Sequence, residues 1–66
     1  MRVLINGRDR EVDRSATVAE LLRRLEIAGP SVAVELNRAI LPKARHGDTL
    51  LQEGDRLEIV TLVGGG

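Results

Sequence analysis

At 66 residues the chain is one small domain, and a single core of that size supports about 3–5 kcal/mol of stability, which excludes a deep pocket backed by layers of supporting residues. There is no cysteine, so disulfides, Cys-based zinc sites and thiol nucleophiles are excluded, and no Phe, Tyr or Trp on which a base could stack. Ten basic and ten acidic residues cancel and are dispersed without long runs, whereas a nucleic-acid binder carries a basic excess or stripe.

The opening Met1–Gly7 has too short an apolar run for a signal-peptide core, and no later stretch approaches a membrane span, so the expectation is a cytoplasmic protein with no membrane and no nucleic-acid partner. Residues 2–5 predict a strand, closed by Asn6-Gly7, a hairpin signal because both residue types tolerate positive φ. Residues 9–13 predict the returning strand, which is polar and therefore belongs at a sheet edge. Thr17 and Glu20 form a capping box, and Val18, Leu21, Leu22 and Leu25 follow at helical spacing with Arg23 and Arg24 outside. Gly29-Pro30 is the expected helix stop.

Residues 32–36 predict the next strand, with Val32, Val34 and Leu36 on one face. Asn37-Arg38 makes a turn into a short strand at 39–41, ended by Pro42; residues 43–49 read as irregular. Glu53-Gly54-Asp55 is a turn before a last strand at 57–62, and Val63 precedes three glycines. The order β-β-α-β-β-β leaves one helix to cover one face of one mixed sheet of roughly four to five strands. The first and last strands are the most apolar, so they belong side by side in the middle. That is the α+β, ubiquitin-like β-grasp architecture, with residues 1–62 as the domain and 63–66 as a flexible tail.

Side chains offer little chemistry. His46, the single histidine, has neither a nucleophile nor companion ligands near it in sequence and reads as a packing or surface residue. Asp48, Asp55 and Glu58 are explained by turns and solvation, so no metal is expected. The tail differs. Gly64, Gly65 and Gly66 have no Cβ and add no packing, but they pass through a narrow opening and leave a terminal carboxylate unhindered. A carboxylate is a poor electrophile until activated. Adenylylation by ATP makes a mixed anhydride at Gly66, which a sulfur nucleophile converts to a thiocarboxylate or an amine to an amide.

A partner surface is also expected. If Val3, Ile5, Leu57 and Ile59 face the helix, then Leu4, Val60 and Leu62, joined by Ala33, face outward as an aliphatic cluster. With Val63 at the root of the tail, these are the candidate partner-binding residues.

The sequence resembles the ThiS-type sulfur carriers of thiamine biosynthesis over essentially its whole length. The resemblance rests on the first strand with Asn6-Gly7, on residues 17–22 (TVAELL), on 32–37 (VAVELN) with Pro42, and most specifically on 53–66 (EGDRLEIVTLVGGG). It implies a β-grasp carrier that is not itself an enzyme and binds no cofactor. A ThiF-type adenylating enzyme would use ATP at Gly66, and cysteine desulfurase-derived sulfur would make the thiocarboxylate. A ThiG-type thiazole synthase would receive that sulfur. His46 stands where the family often has an aromatic residue, which leaves the packing of residues 42–49 open. The alternatives are a molybdopterin synthase small-subunit-type carrier, a ubiquitin-like protein modifier, and a non-reactive binding module.

Overall fold

A computed structural model describes residues 1–27, 29 and 31–61. Among them the chain forms five strands, one α-helix and one 3-10 turn. The strands are β1 (Arg2–Ile5), β2 (Arg8–Glu11), β3 (Val32–Leu36), β4 (Ala39–Leu41) and β5 (Arg56–Thr61); the helix α1 is Val18–Arg24. They make one sheet in the order β2-β1-β5-β3-β4. The β1–β5 pair is parallel and the others are antiparallel, so the expected mixed sheet with β1 and β5 adjacent is observed.

Two tight hairpins fix the register. Asn6 and Gly7 have φ of 52° and 82°, and Asn37 and Arg38 have φ of 52° and 71°. Paired left-handed residues are the mark of a type I′ turn, whose twist matches that of the flanking strands. Two-residue loops therefore set Ile5 opposite Arg8 and Leu36 opposite Ala39. The last strand starts one residue earlier than its apolar pattern indicates. Asn37 Oδ1 accepts from the Arg56 amide at 3.0 Å and the Asn37 amide donates to the Arg56 carbonyl at 2.7 Å, drawing Arg56 into the ladder.

The helix begins as its capping box dictates: the Glu20 amide donates to Thr17 Oγ1 at 3.1 Å and the Thr17 amide to Glu20 Oε1 at 2.9 Å. Its end corrects the expectation of a stop at Gly29-Pro30. Glu26 adopts φ 60°, the Ile27 amide donates to the Leu22 carbonyl at 2.9 Å, and the Glu26 amide to the Arg23 carbonyl at 3.0 Å. These two bonds around a left-handed residue are a Schellman cap, and they end the helix before the Gly-Pro pair.

The core lies between α1 and one face of the sheet. Val3, Ile5, Val18, Leu21, Leu22, Val34, Leu57 and Ile59 are buried there, joined by Ala16 and Leu51. Burying each Val, Leu or Ile side chain there contributes about 1.5–3 kcal/mol before ordering costs. Leu51 reaches the core because residues 49–51 run beside 16–18: the Val18 amide donates to the Thr49 carbonyl and the Leu51 amide to the Ala16 carbonyl, both at 3.0 Å. Residues Lys43–Asp48, expected to be irregular, wind as the 3-10 turn and pack on α1. Among the described residues no helix is long and apolar enough to cross a membrane.

Candidate functional site

The face of the sheet opposite α1 carries no helix among the described residues, and its make-up follows from the strand registers. Leu4 lies on this face beside Asp9 of β2 and Arg56 of β5. Farther along β5 come Glu58, opposite Glu35, and then Val60, opposite Ala33. The expected aliphatic cluster is therefore interrupted. Val60 and Ala33 are direct cross-strand neighbours, but Leu4 lies four residues away along β5, about 13 Å at strand spacing, with Glu58 between them. Leu4 is half-buried, while Val60 is 52% exposed.

The structure adds an apolar residue to the Val60–Ala33 end. Ile40 of β4 is 79% exposed and opposes Glu35, diagonal to Ala33. The two-residue loop at Asn37-Arg38 was the signal for it, because counting back from that turn sets Ile40 on the face of Glu35 and Ala33. The open face at the C-terminal end of β5 thus holds Val60, Ala33 and Ile40, with Leu4 as a separate, partly covered residue.

Charge on this face is sorted in a way that net neutrality hides. In β2 the alternation Arg8-Asp9-Arg10-Glu11 turns both acids to the open face, and both arginines to the helix face, opposite Ile5 and Val3. Arg2 reaches the two acids, Nη1 to Asp9 Oδ2 at 3.7 Å and Nε to Glu11 Oε1 at 3.6 Å. Glu35 and Glu58 form a like-charge cross-strand pair, which costs stability wherever it occurs.

The remaining titratable candidates are structural. His46 is buried, and its Nε2 lies 3.2 Å from the Leu41 carbonyl, to which it donates in the Nε2–H tautomer. With Leu22, Ile27 and Val32 it lines one small cavity, where the resemblance leads one to expect an aromatic ring. Asp48 pairs with Arg45 at 3.2 Å. Asp55 accepts from the Gln52 amide at 2.8 Å and from Asn37 Nδ2 at 3.0 Å. Among the described residues no three His, Asp or Glu side chains are arranged to hold a metal ion.

The expected tail residues Leu62, Val63, Gly64, Gly65 and Gly66 lie outside the described residues. What the structure fixes is their root. Thr61 opposes Val32 at the end of β5, and two residues earlier the Asn6 side chain bonds both the amide and the carbonyl of Ile59. At its last described residues this strand is paired with β3 on one side and bonded by the Asn6 side chain on the other.

Comparison with known proteins agrees with this geometry. A family model described as the ThiS family matches residues 3–66. The chain is 42% identical over 66 residues to a Paramagnetospirillum magneticum protein named thiazole synthase, covering all of this chain but only 20% of that protein. It thus spans about a fifth of the length of that relative. It is 35% identical over 63 residues to the sulfur carrier protein ThiS of Bacillus subtilis, covering 94% of this chain and 96% of that one. The crystal structure of the thiamine biosynthesis protein ThiS from Geobacter metallireducens superimposes with a TM-score of 0.83 at 36% identity, covering the whole of both chains.

Proposed function

This chain belongs to the ThiS family, and from that premise we propose that it is a sulfur carrier of thiamine biosynthesis whose reactive group is the carboxylate of Gly66. The observation that carries the reading is the family match running through residue 66, on a fold that leads into the terminal glycines from a central strand. The side chains fit a carrier: the buried histidine bonds a backbone carbonyl, and Asp48 and Asp55 are engaged in the chain's own turns. Chemistry is left to the main-chain terminus, and the protein is a co-substrate of other enzymes.

The chemistry proceeds in two displacements at the terminus and a reductive cleavage. A ThiF-type adenylating enzyme brings ATP to Gly66; a carboxylate oxygen attacks the α-phosphate, pyrophosphate leaves, and an acyl adenylate forms. Persulfide sulfur originating from a cysteine desulfurase then attacks the acyl carbon and AMP leaves. Reductive cleavage of the resulting acyl disulfide by a thiol leaves the thiocarboxylate. Glycine suits this position because no Cβ hinders approach to the acyl carbon. A ThiG-type thiazole synthase is the proposed acceptor, a pairing supported by the alignment of the whole chain within a protein of that name. Leu4, Val60, Leu62 and Val63 are the proposed partner contacts, and the domain is proposed to end at residue 62 with 63–66 as the tail that enters the partner.

The test is the intact mass of the protein after incubation with ATP, a ThiF-type enzyme, a cysteine desulfurase, cysteine and a thiol reductant. Exchange of one terminal oxygen for sulfur is the expected outcome, abolished by deleting Gly66. An unchanged mass, under conditions that convert the Bacillus subtilis carrier, refutes the assignment.

A further inference from the structure

We propose that Asn6 is a positioning residue for the acceptor tail: its side-chain amide makes the last rung on the β1 side of β5 and so sets the direction in which Gly66 is offered to the activating enzyme. The inference rests on the carrier reading above.

The parallel ladder between β1 and β5 advances in steps of two residues. The Leu4 amide donates to the Asp55 carbonyl at 2.8 Å, and the Asn6 amide to the Leu57 carbonyl at 2.9 Å. The next step reaches Ile59, but the β1 backbone is no longer available, because Asn6 at φ 52° turns the chain into β2. The Asn6 side chain takes over the rung. Ile59 N–H donates to Asn6 Oδ1 at 2.8 Å, and Asn6 Nδ2–H donates to the Ile59 carbonyl at 3.2 Å. A primary amide is the side-chain group that reproduces both the donor and the acceptor of a peptide unit. Asparagine is also, among non-glycine residues, well suited to left-handed φ. One residue therefore closes the hairpin and holds the strand that feeds the tail.

Without that rung the last hold on this edge falls back from Ile59 to Leu57. The pairing of β5 with β3 through Thr61 remains, so the strand is then held on one side only over its last residues. The effect is on the angle at which the strand points, and a reacting group displaced by 1 Å costs up to about a hundredfold. One-sided holding permits only part of such a displacement, so the expected loss is roughly three- to tenfold in kcat.

The fold supplies its own control. Asn37 has the same φ of 52° and the same place in a two-residue hairpin, and its Oδ1 accepts from the Arg56 amide at 3.0 Å. It grips β5 at the entrance, far from the tail. Asn6→Gly and Asn37→Gly both keep the left-handed turn and both remove a side-chain grip on β5. Each is expected to lower the unfolding midpoint, so stability alone does not distinguish them. The distinguishing readout is the initial rate of thiocarboxylate formation against carrier concentration, below both midpoints. Asn6→Gly is expected to lower kcat roughly three- to tenfold with KM within about twofold, while Asn37→Gly matches the wild type. Amide exchange at Ile59 and Thr61 is expected to accelerate only in Asn6→Gly. Asn6→Asp keeps the acceptor for Ile59 N–H but sets an oxygen against the Ile59 carbonyl; it is expected to show the same kcat loss, and it serves if the glycine variant fails to fold. A wild type that takes no sulfur refutes the carrier reading and this inference with it. A wild type that is converted, with the Asn6 variants equal to it in kcat, overturns the inference alone.

Discussion

Replacing Glu26 by glycine should stabilise the protein. Glu26 has φ 60° at the end of α1, where its amide donates to the Arg23 carbonyl and the next amide, of Ile27, to the Leu22 carbonyl. A residue with a Cβ carries a cost of about 1–2 kcal/mol in this conformation, because the Cβ crowds the following carbonyl. Glycine removes that cost and keeps both bonds, which are made by backbone, but adds about 0.5–1 kcal/mol of unfolded-state entropy. The net gain is about 0.5–1 kcal/mol. For 66 residues the unfolding entropy is about 0.14 kcal/mol per degree, so the midpoint should rise by about 4–7 °C. Thermal unfolding followed by circular dichroism measures this directly, with urea unfolding to show that the slope m is unchanged. Glu26→Ala is the control, since alanine keeps the Cβ and removes only an exposed carboxylate. If the glycine variant is no more stable than the alanine variant, the left-handed cap stores no strain and the reasoning is wrong.

Leu57→Ala should cost about 2–5 kcal/mol, comparable to the whole margin of about 3–5 for a single small core. Leu57 is 1% exposed on the central strand, so far-ultraviolet circular dichroism at 25 °C should show a substantially unfolded population; a fully folded variant would contradict the placement of the core. Glu35→Gln should raise stability by about 0.2–0.5 kcal/mol by relieving repulsion from Glu58, and adding Glu58→Gln should give less than a second equal increment, read from urea midpoints. Val60→Asp, at a position 52% exposed, should leave the unfolding midpoint nearly unchanged while weakening association with a ThiG-type thiazole synthase by about tenfold or more in titration calorimetry. Unchanged affinity would remove Val60 from the partner surface.

Much of the fold was legible because local chemistry and global position agree. The bounds of β1, β3 and β4 follow from short apolar runs closed by Asn-Gly, Asn-Arg and Pro. The capping box of Thr17 and Glu20 is present as bonded pairs. The central position of β5 follows from its apolar character, and family membership from the closing run of residues. Other features depend on contacts that no local pattern carries. The helix stops at Glu26 because the Ile27 amide reaches Leu22, although a glutamate is a poor residue for that conformation. Leu51 and His46 are buried because the segment after β4 folds under the helix, which the irregular pattern of residues 43–49 does not reveal.

The candidate site divides in the same way. Alternation along each strand put Leu4 and Val60 on the open face, since successive side chains must point to opposite sides. Whether they meet depends on how β1 is set against β5, and the pairing of Leu4 with Arg56 holds them apart with Glu58 between. Ile40 joins Ala33 and Val60 only through the register that the Asn37-Arg38 turn imposes.

The linear chain by itself determined the one-helix, one-sheet architecture, the kinship of the terminal residues and the absence of thiol chemistry. These depend on which residues are present and on their spacing along the backbone. Only the tertiary structure decided which side chains lie opposite one another: the Asn6 bridge to Ile59 across 53 positions, the facing pair Glu35 and Glu58, and the division of charge between the two faces of β2. Such pairings depend on strand register, and a shift of one residue would send every one of those side chains to the opposite face.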